Sequence, residues 1–80
     1  MLTDIGKAIR TARKLRGLSQ AELAKSLGMS RTTIGQIESG TVQEIGVRKL
    51  MRLLDALGLQ LRVRPAGRPP TLEELQEEQE

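Results

Sequence analysis

The sequence predicts an all-α fold: a small bundle of four to five short helices containing a helix-turn-helix, plus one short C-terminal β-strand that pairs across a dimer. Three observations carry this expectation. Residues 19–38, SQAELAKSLGMSRTTIGQIE, hold two helix-start signals on either side of a glycine turn. Apolar residues recur at three-and-four spacing before and after that stretch, which is the period of an amphipathic helix. From Leu59 to Arg64 the period falls to two, as in a half-buried strand.

Taken in order, Thr3 or Asp4 can cap a first helix whose apolar face is Ile5, Ala8, Ile9, Ala12 and Leu15. It is expected to run to about Arg16 and stop at Gly17. Its other faces carry Lys7, Arg10, Arg13, Lys14 and Arg16, several of them in the last turns, where cations complement the helix dipole. A solvated face is the plain reading of these charges.

The second helix begins at Ser19. Ser19 and Glu22 form a capping box, in which hydroxyl and carboxylate each satisfy an orphan backbone N–H, and Leu18 with Leu23 can staple the entry. Gly28 is the expected stop, because a residue tolerant of the left-handed conformation ends a helix cheaply. Met29 fills the turn. Ser30 then caps a third helix that turns Ile34 and Ile37 inward, while Arg31, Thr32, Thr33 and Gln36 point elsewhere. Ala24 is small where two helices cross closely, and Leu23, Leu27, Ile34 and Ile37 supply the shared core.

The joint pattern of Gln20, Leu23, Ala24, Gly28, Ile34, Ile37 and Glu38 resembles the Cro/C1-type (XRE) helix-turn-helix DNA-binding family, whose fold is a lambda-repressor-like helical bundle. In such a motif the second helix of the pair enters the major groove with its N-terminal residues nearest the base edges. Here those are Ser30, Arg31, Thr32 and Thr33, and one turn later Gln36. Arg31 can donate two bonds to a guanine and Gln36 can pair with adenine; Thr32 or Thr33 can offer a methyl to thymine or a hydroxyl to a phosphate. Ser30 can instead be occupied as the cap. The resemblance implies that Gln20 contacts a phosphate at the N-terminus of the second helix. Beside such a motif, Arg10, Arg13 and Lys14 are candidates for further phosphate contacts. Gly35 offers only close backbone approach, and Glu38 reads as structural, because a carboxylate facing DNA would be repelled.

Residues 39–44 form a polar break, and the next helix is expected from Ile45 or Gly46 to Gly58. Val47, Leu50, Met51, Leu53, Leu54 and Leu57 make an apolar sector wider than one small bundle needs, so part of it is expected to face a second subunit. After Gly58, Leu59, Leu61 and Val63 alternate with Gln60, Arg62 and Arg64. A strand needs a partner, and no other segment alternates. Two readings are open: the same strand from a second copy, giving an antiparallel ribbon across a two-fold axis, or an arm packed on its own domain. The dimer reading places Leu54, Leu57, Leu59, Leu61 and Val63 at the dimerisation surface. The stretch from Leu53 to Arg64 further resembles HipB-type antitoxins, dimers closed by such a strand. That resemblance implies autoregulation through a palindromic operator and neutralisation of a HipA-type toxin kinase.

The helix-turn-helix and dimerisation domain is expected to occupy residues 1–64, followed by a Pro/Gly linker and an acidic, disordered tail over residues 65–80. Within the tail, Thr71 and Glu74 could form another capping box, but a helix this short is unstable alone and its like charges repel. Such a tail can contact a partner protein, screen the domain's own basic face, or serve as a protease handle.

Charge divides the same way. Residues 1–64 hold twelve Lys or Arg against five Asp or Glu, hence +7; residues 65–80 hold one Arg against five Glu, hence −4. A basic domain attracts polyanions. The chain has no Cys, His, Phe, Tyr or Trp, so thiolate zinc sites, the commonest general base, and base-stacking platforms are all missing. No catalytic residue, metal site or cofactor is expected, and the chain does not read as an enzyme. No apolar run approaches a membrane span and no signal peptide is evident, which makes cytoplasmic location the default. The function expected is a dimeric, sequence-specific repressor of transcription on double-stranded DNA, as a HipB-like antitoxin. Alternatives are a stand-alone phage-type or restriction-modification controller regulator, or a protein-interaction adaptor retaining the fold.

Overall fold

The computed structural model describes residues 2–65, in which four helices follow one another: α1 (Leu2–Leu15), α2 (Gln20–Leu27), α3 (Arg31–Ser39) and α4 (Val47–Ala56). The local signals act as their chemistry requires. Ser19 Oγ accepts from the Glu22 N–H at 3.0 Å, and Glu22 Oε1 accepts from the Ser19 N–H at 3.0 Å. That backbone bond, with the Ser19 hydroxyl, holds the Glu22 carboxyl below its ordinary range. At the other ends, Gly17, Gly28, Gly40 and Gly58 all have φ between 67° and 76°. The residue after each donates back five positions, as Met29 N does to the Ala24 carbonyl at 2.9 Å, which closes the helix in a Schellman-type stop.

α3 lies between α1 and α2 and packs on both. Ile9, Leu23, Ala24, Leu27, Ile34 and Ile37 meet there, and Leu53 and Leu54 from α4 with Leu57 at its C-cap close the core. Arg52 Nη2 donates to the Leu27 carbonyl at 3.1 Å, tying α4 to the C-terminal end of α2.

Several expectations are corrected. α1 starts at Leu2, so Thr3 and Asp4 lie in its first turn rather than at its cap, where Asp4 still complements the dipole. Its inward face is Ile5, Gly6, Ile9, Ala12 and Arg13; Ala8 is exposed and Leu15 is 84% exposed. The helix is rotated because it approaches α3 through Gly6, where an added Cβ would stand 2.8 Å from the Glu38 carbonyl carbon. Leu54 on α4 and Leu57 at its C-cap are 4% and 3% exposed, so they are consumed by the core of their own chain and not offered to a second subunit; Val47, expected in the apolar sector, is 72% exposed. Residues 59–65 form no strand in the single chain, and among the described residues there is no strand at all. Leu59 packs against the core, whereas Leu61 and Val63 are 42% and 94% exposed. The expected linker and acidic tail, beyond Pro65, lie outside the described residues.

Candidate nucleic-acid interface

The outward face of α3 is built by its cap. Ser30 Oγ accepts from the Thr33 N–H at 3.1 Å and lies 2.8 Å from Thr33 Oγ1. Both hydroxyls are thereby engaged with each other and with the helix start, which removes Ser30 and Thr33 from the set of unencumbered base-reading candidates. Arg31, Thr32 and Gln36 are exposed, and among the described residues none of their side chains has an internal hydrogen-bond partner. A donor fork, a small hydroxyl with its methyl, and an amide therefore share the face opposite Ile34 and Ile37, which are buried.

Behind that face sits a buried polar cluster. Arg13 donates from Nε to Glu38 Oε2 at 2.6 Å and from Nη2 to Oε1 at 3.0 Å, and its Nη1 donates to the Leu18 carbonyl at 2.7 Å. Gln20 Nε2 adds a bond to Glu38 Oε1 at 3.2 Å. Arg13 and Glu38 are each 7% exposed, and no buried side-chain polar atom among the described residues lacks a partner. The expectation that Arg13 meets a phosphate is thus corrected: its guanidinium is spent inside the domain. Glu38 is structural, as expected. The signal for the pair is present in sequence, since Gly6, Ile9 and Arg13 recur at three-and-four spacing and put a cation on the helix face that packs.

Desolvation alone would raise the Glu38 pKa, but hydrogen bonds from Arg13 and Gln20, with the charges of Arg13 and Arg10, hold it below the ordinary carboxylate range. The bond to Glu38, against the cost of burial, raises Arg13 above its already high value. A depressed carboxylate contributes stability that is fully present above its unfolded pKa, about 4.3, and is lost as pH falls through the folded value. Urea midpoints are therefore expected to fall steadily as pH drops below about 4.3, and the slope should flatten when Arg13→Met and Glu38→Leu together remove the whole pair.

The same cluster floors a cleft of about 230 Å³ lined by Arg10, Arg13, Gln20, Gly35, Glu38 and Ser39. A Cβ on Gly35 would lie 3.6 Å from Gln20 Oε1, so the Gln20 amide rests against the middle of α3. With Arg13 neutralising Glu38, the charge left at the cleft is the exposed Arg10, beside the Gln20 amide and the Ser39 hydroxyl. Cation, amide and hydroxyl together form a seat suited to an anion at the edge of α3. Lys14 is exposed on α1. Among the described residues no group of acidic side chains could hold a metal ion, and no helix is long and apolar enough to cross a membrane.

Comparison with known proteins agrees with this geometry. A helix-turn-helix family model matches residues 9–63. The ImmF control region 10 kDa protein of Bacillus phage phi105 is 39% identical over 59 residues, covering 74% of this chain and 64% of the phage protein, so the chain spans less than two thirds of that relative. Among solved structures, the restriction-modification controller protein C.AhdI from Aeromonas hydrophila superposes with a TM-score of 0.65 at 30% identity, over 74% of this chain and 88% of that one. A chain of the HipA-HipB-O2-O3 complex superposes with a TM-score of 0.67 over 84% and 93%, at 24% identity, a likeness of fold. The chain belongs to the Cro/C1-type helix-turn-helix family of DNA-binding regulators.

Proposed function

We propose that the chain is a sequence-specific repressor of transcription that binds an inverted-repeat operator as a dimer. The observation that carries this reading is the outward face of α3: Arg31, Thr32 and Gln36 are presented free of internal partners by a helix whose other side is fixed in the core. Arg31 and Gln36 are the bidentate readers, Thr32 a methyl or hydroxyl contact, and Arg10, Gln20 and Lys14 the phosphate contacts that set the register.

Magnitude argues for two copies. Each good bidentate contact discriminates by about 1–3 kcal/mol, so one monomer's two or three fall short of ordinary specific affinity, and a two-fold dimer doubles them. Leu61 and Val63, left exposed, together with Leu59 give the apolar edge for pairing the 59–64 segment of two chains. Val47 adds exposed apolar surface on α4.

Among regulator classes, a stand-alone phage-type or restriction-modification controller role has the stronger support, since those are the relatives at 30% identity or more. The HipB-like antitoxin role, with a HipA-type kinase as partner, is supported by shape and by the pattern of residues 53–64. A kinase-fold reading frame directly downstream would reverse that order.

Selection from a randomised duplex pool, followed by footprinting, tests the reading. The expected result is an inverted repeat protected by two chains, with half-site centres about one helical turn apart. A pool without enrichment, or an asymmetric site bound by one chain, contradicts it.

A further inference from the structure

Lys7, Arg10 and Lys14 recur at three-and-four spacing and so share one face of α1. All three are exposed. Among the described residues the salt bridge is Arg13 with Glu38, and none of these three cations has such a partner. The ridge flanks α3: Gly6 and Arg13, which touch α3, lie beside it round the helix, and Arg10 reaches the cleft against Gly35 and Ser39. Like charges at this spacing repel one another, so the ridge carries an electrostatic cost that a polyanion relieves. It would draw in any duplex through its phosphates, whatever the sequence.

The same chain holds the complementary charge. Glu73, Glu74, Glu77, Glu78 and Glu80 place five carboxylates in eight residues with no cation among them. The eight Cα–Cα steps from Pro65 to Glu73 can span about 28 Å when extended, so the length of chain after the described residues gives the acidic segment reach over the surface of a small domain. We propose that the acidic segment 73–80 docks on the Lys7–Arg10–Lys14 ridge of its own chain and competes there with DNA phosphates. The inference rests on the DNA-binding reading above. Competition lowers the affinity for every duplex by the same factor, the fraction of molecules with the ridge free. Discrimination by Arg31 and Gln36 is unchanged, but nonspecific complexes, which depend on phosphates, fall towards dissociation while the operator complex stays populated.

The test uses the full chain and a variant with Glu73, Glu74, Glu77, Glu78 and Glu80 all replaced by Gln, titrated against a random-sequence duplex over a range of salt. The variant is expected to bind about tenfold tighter at about 50 mM salt and less than about twofold tighter at about 300 mM, with a log–log salt slope steeper by about 1. Backbone amide shifts at Lys7, Arg10 and Lys14, recorded without DNA, should differ between the two proteins at low salt and converge at high salt. Equal affinities overturn the proposal. So does tighter binding with identical ridge shifts, which would mean long-range repulsion without docking. If neither protein binds any duplex the DNA-binding reading falls, and the amide comparison still decides the docking.

Discussion

Replacing Arg13 by Ala is expected to destabilise the domain by about 3–5 kcal/mol, because it leaves the Glu38 carboxylate buried and without its cation. For a domain of this size that approaches the whole free energy of folding, so the variant should be largely unfolded by circular dichroism at 25 °C. A phosphate contact would behave differently: an Arg on the surface could be truncated with little effect on the urea midpoint and a loss confined to DNA affinity. The geometry excludes that behaviour, since all three of Arg13's hydrogen bonds run to Glu38 and the Leu18 carbonyl. Replacing both partners by apolar residues, Arg13→Met with Glu38→Leu, should recover most of the loss, as removal of a whole buried pair is often near neutral. Failure of the double variant to recover would mean that the Leu18 and Gln20 bonds, not the ion pair, carry the site.

Gly6→Ala is expected to destabilise by about 2 kcal/mol, against the usual sign for a glycine inside a helix. Helix propensity alone favours Ala by up to about 1 kcal/mol, but the new methyl would be driven into the Ile37 and Glu38 carbonyls of α3. Those are backbone atoms of a packed helix and cannot swing aside, and overpacking of this kind costs about 1–3 kcal/mol or more. Gly35→Ala is the contrast within the same protein. Its Cβ would meet the Gln20 amide at an ordinary van der Waals distance, so the propensity gain should survive and raise the urea midpoint. Opposite signs for the two substitutions are the expected outcome; a stabilised Gly6→Ala would mean that α1 does not approach α3 this closely.

Much of the fold is legible in the sequence. Ser19, Glu22, Gly28 and Ser30 act through their immediate neighbours along the chain, so the boundaries of α2 and α3 follow from side-chain chemistry alone. The inward residues of the motif, Leu23, Ala24, Leu27, Ile34 and Ile37, follow from helical spacing. What sequence misjudges depends on how a second element packs. Apolar residues ordinarily point inward, which puts Ala8 and Leu15 on the inner face of α1; the helix is instead turned towards Gly6 and Arg13, because α3 demands a gap and an ion partner there. Leu54 and Leu57 read as surplus apolar surface, yet a bundle with no aromatic side chain needs them to fill its own core. Nor does the sequence say which hydroxyls of α3 remain free, since the tie between Ser30 and Thr33 is a rotamer matter.

The proposed division of labour, in which a free face of α3 reads bases and an adjoining edge holds phosphates, is tested most directly by measuring affinities for the selected operator and all its single-base variants. Wild type, Arg31→Ala and Arg10→Ala are compared across a range of salt. The account predicts that Arg31→Ala loses discrimination at one base position per half-site, worth about 1–3 kcal/mol, while other positions keep theirs. Arg10→Ala should weaken binding to every variant alike and reduce the salt slope by about 1 for each phosphate it no longer neutralises. A uniform loss in both proteins, with no position released by Arg31→Ala, would contradict it.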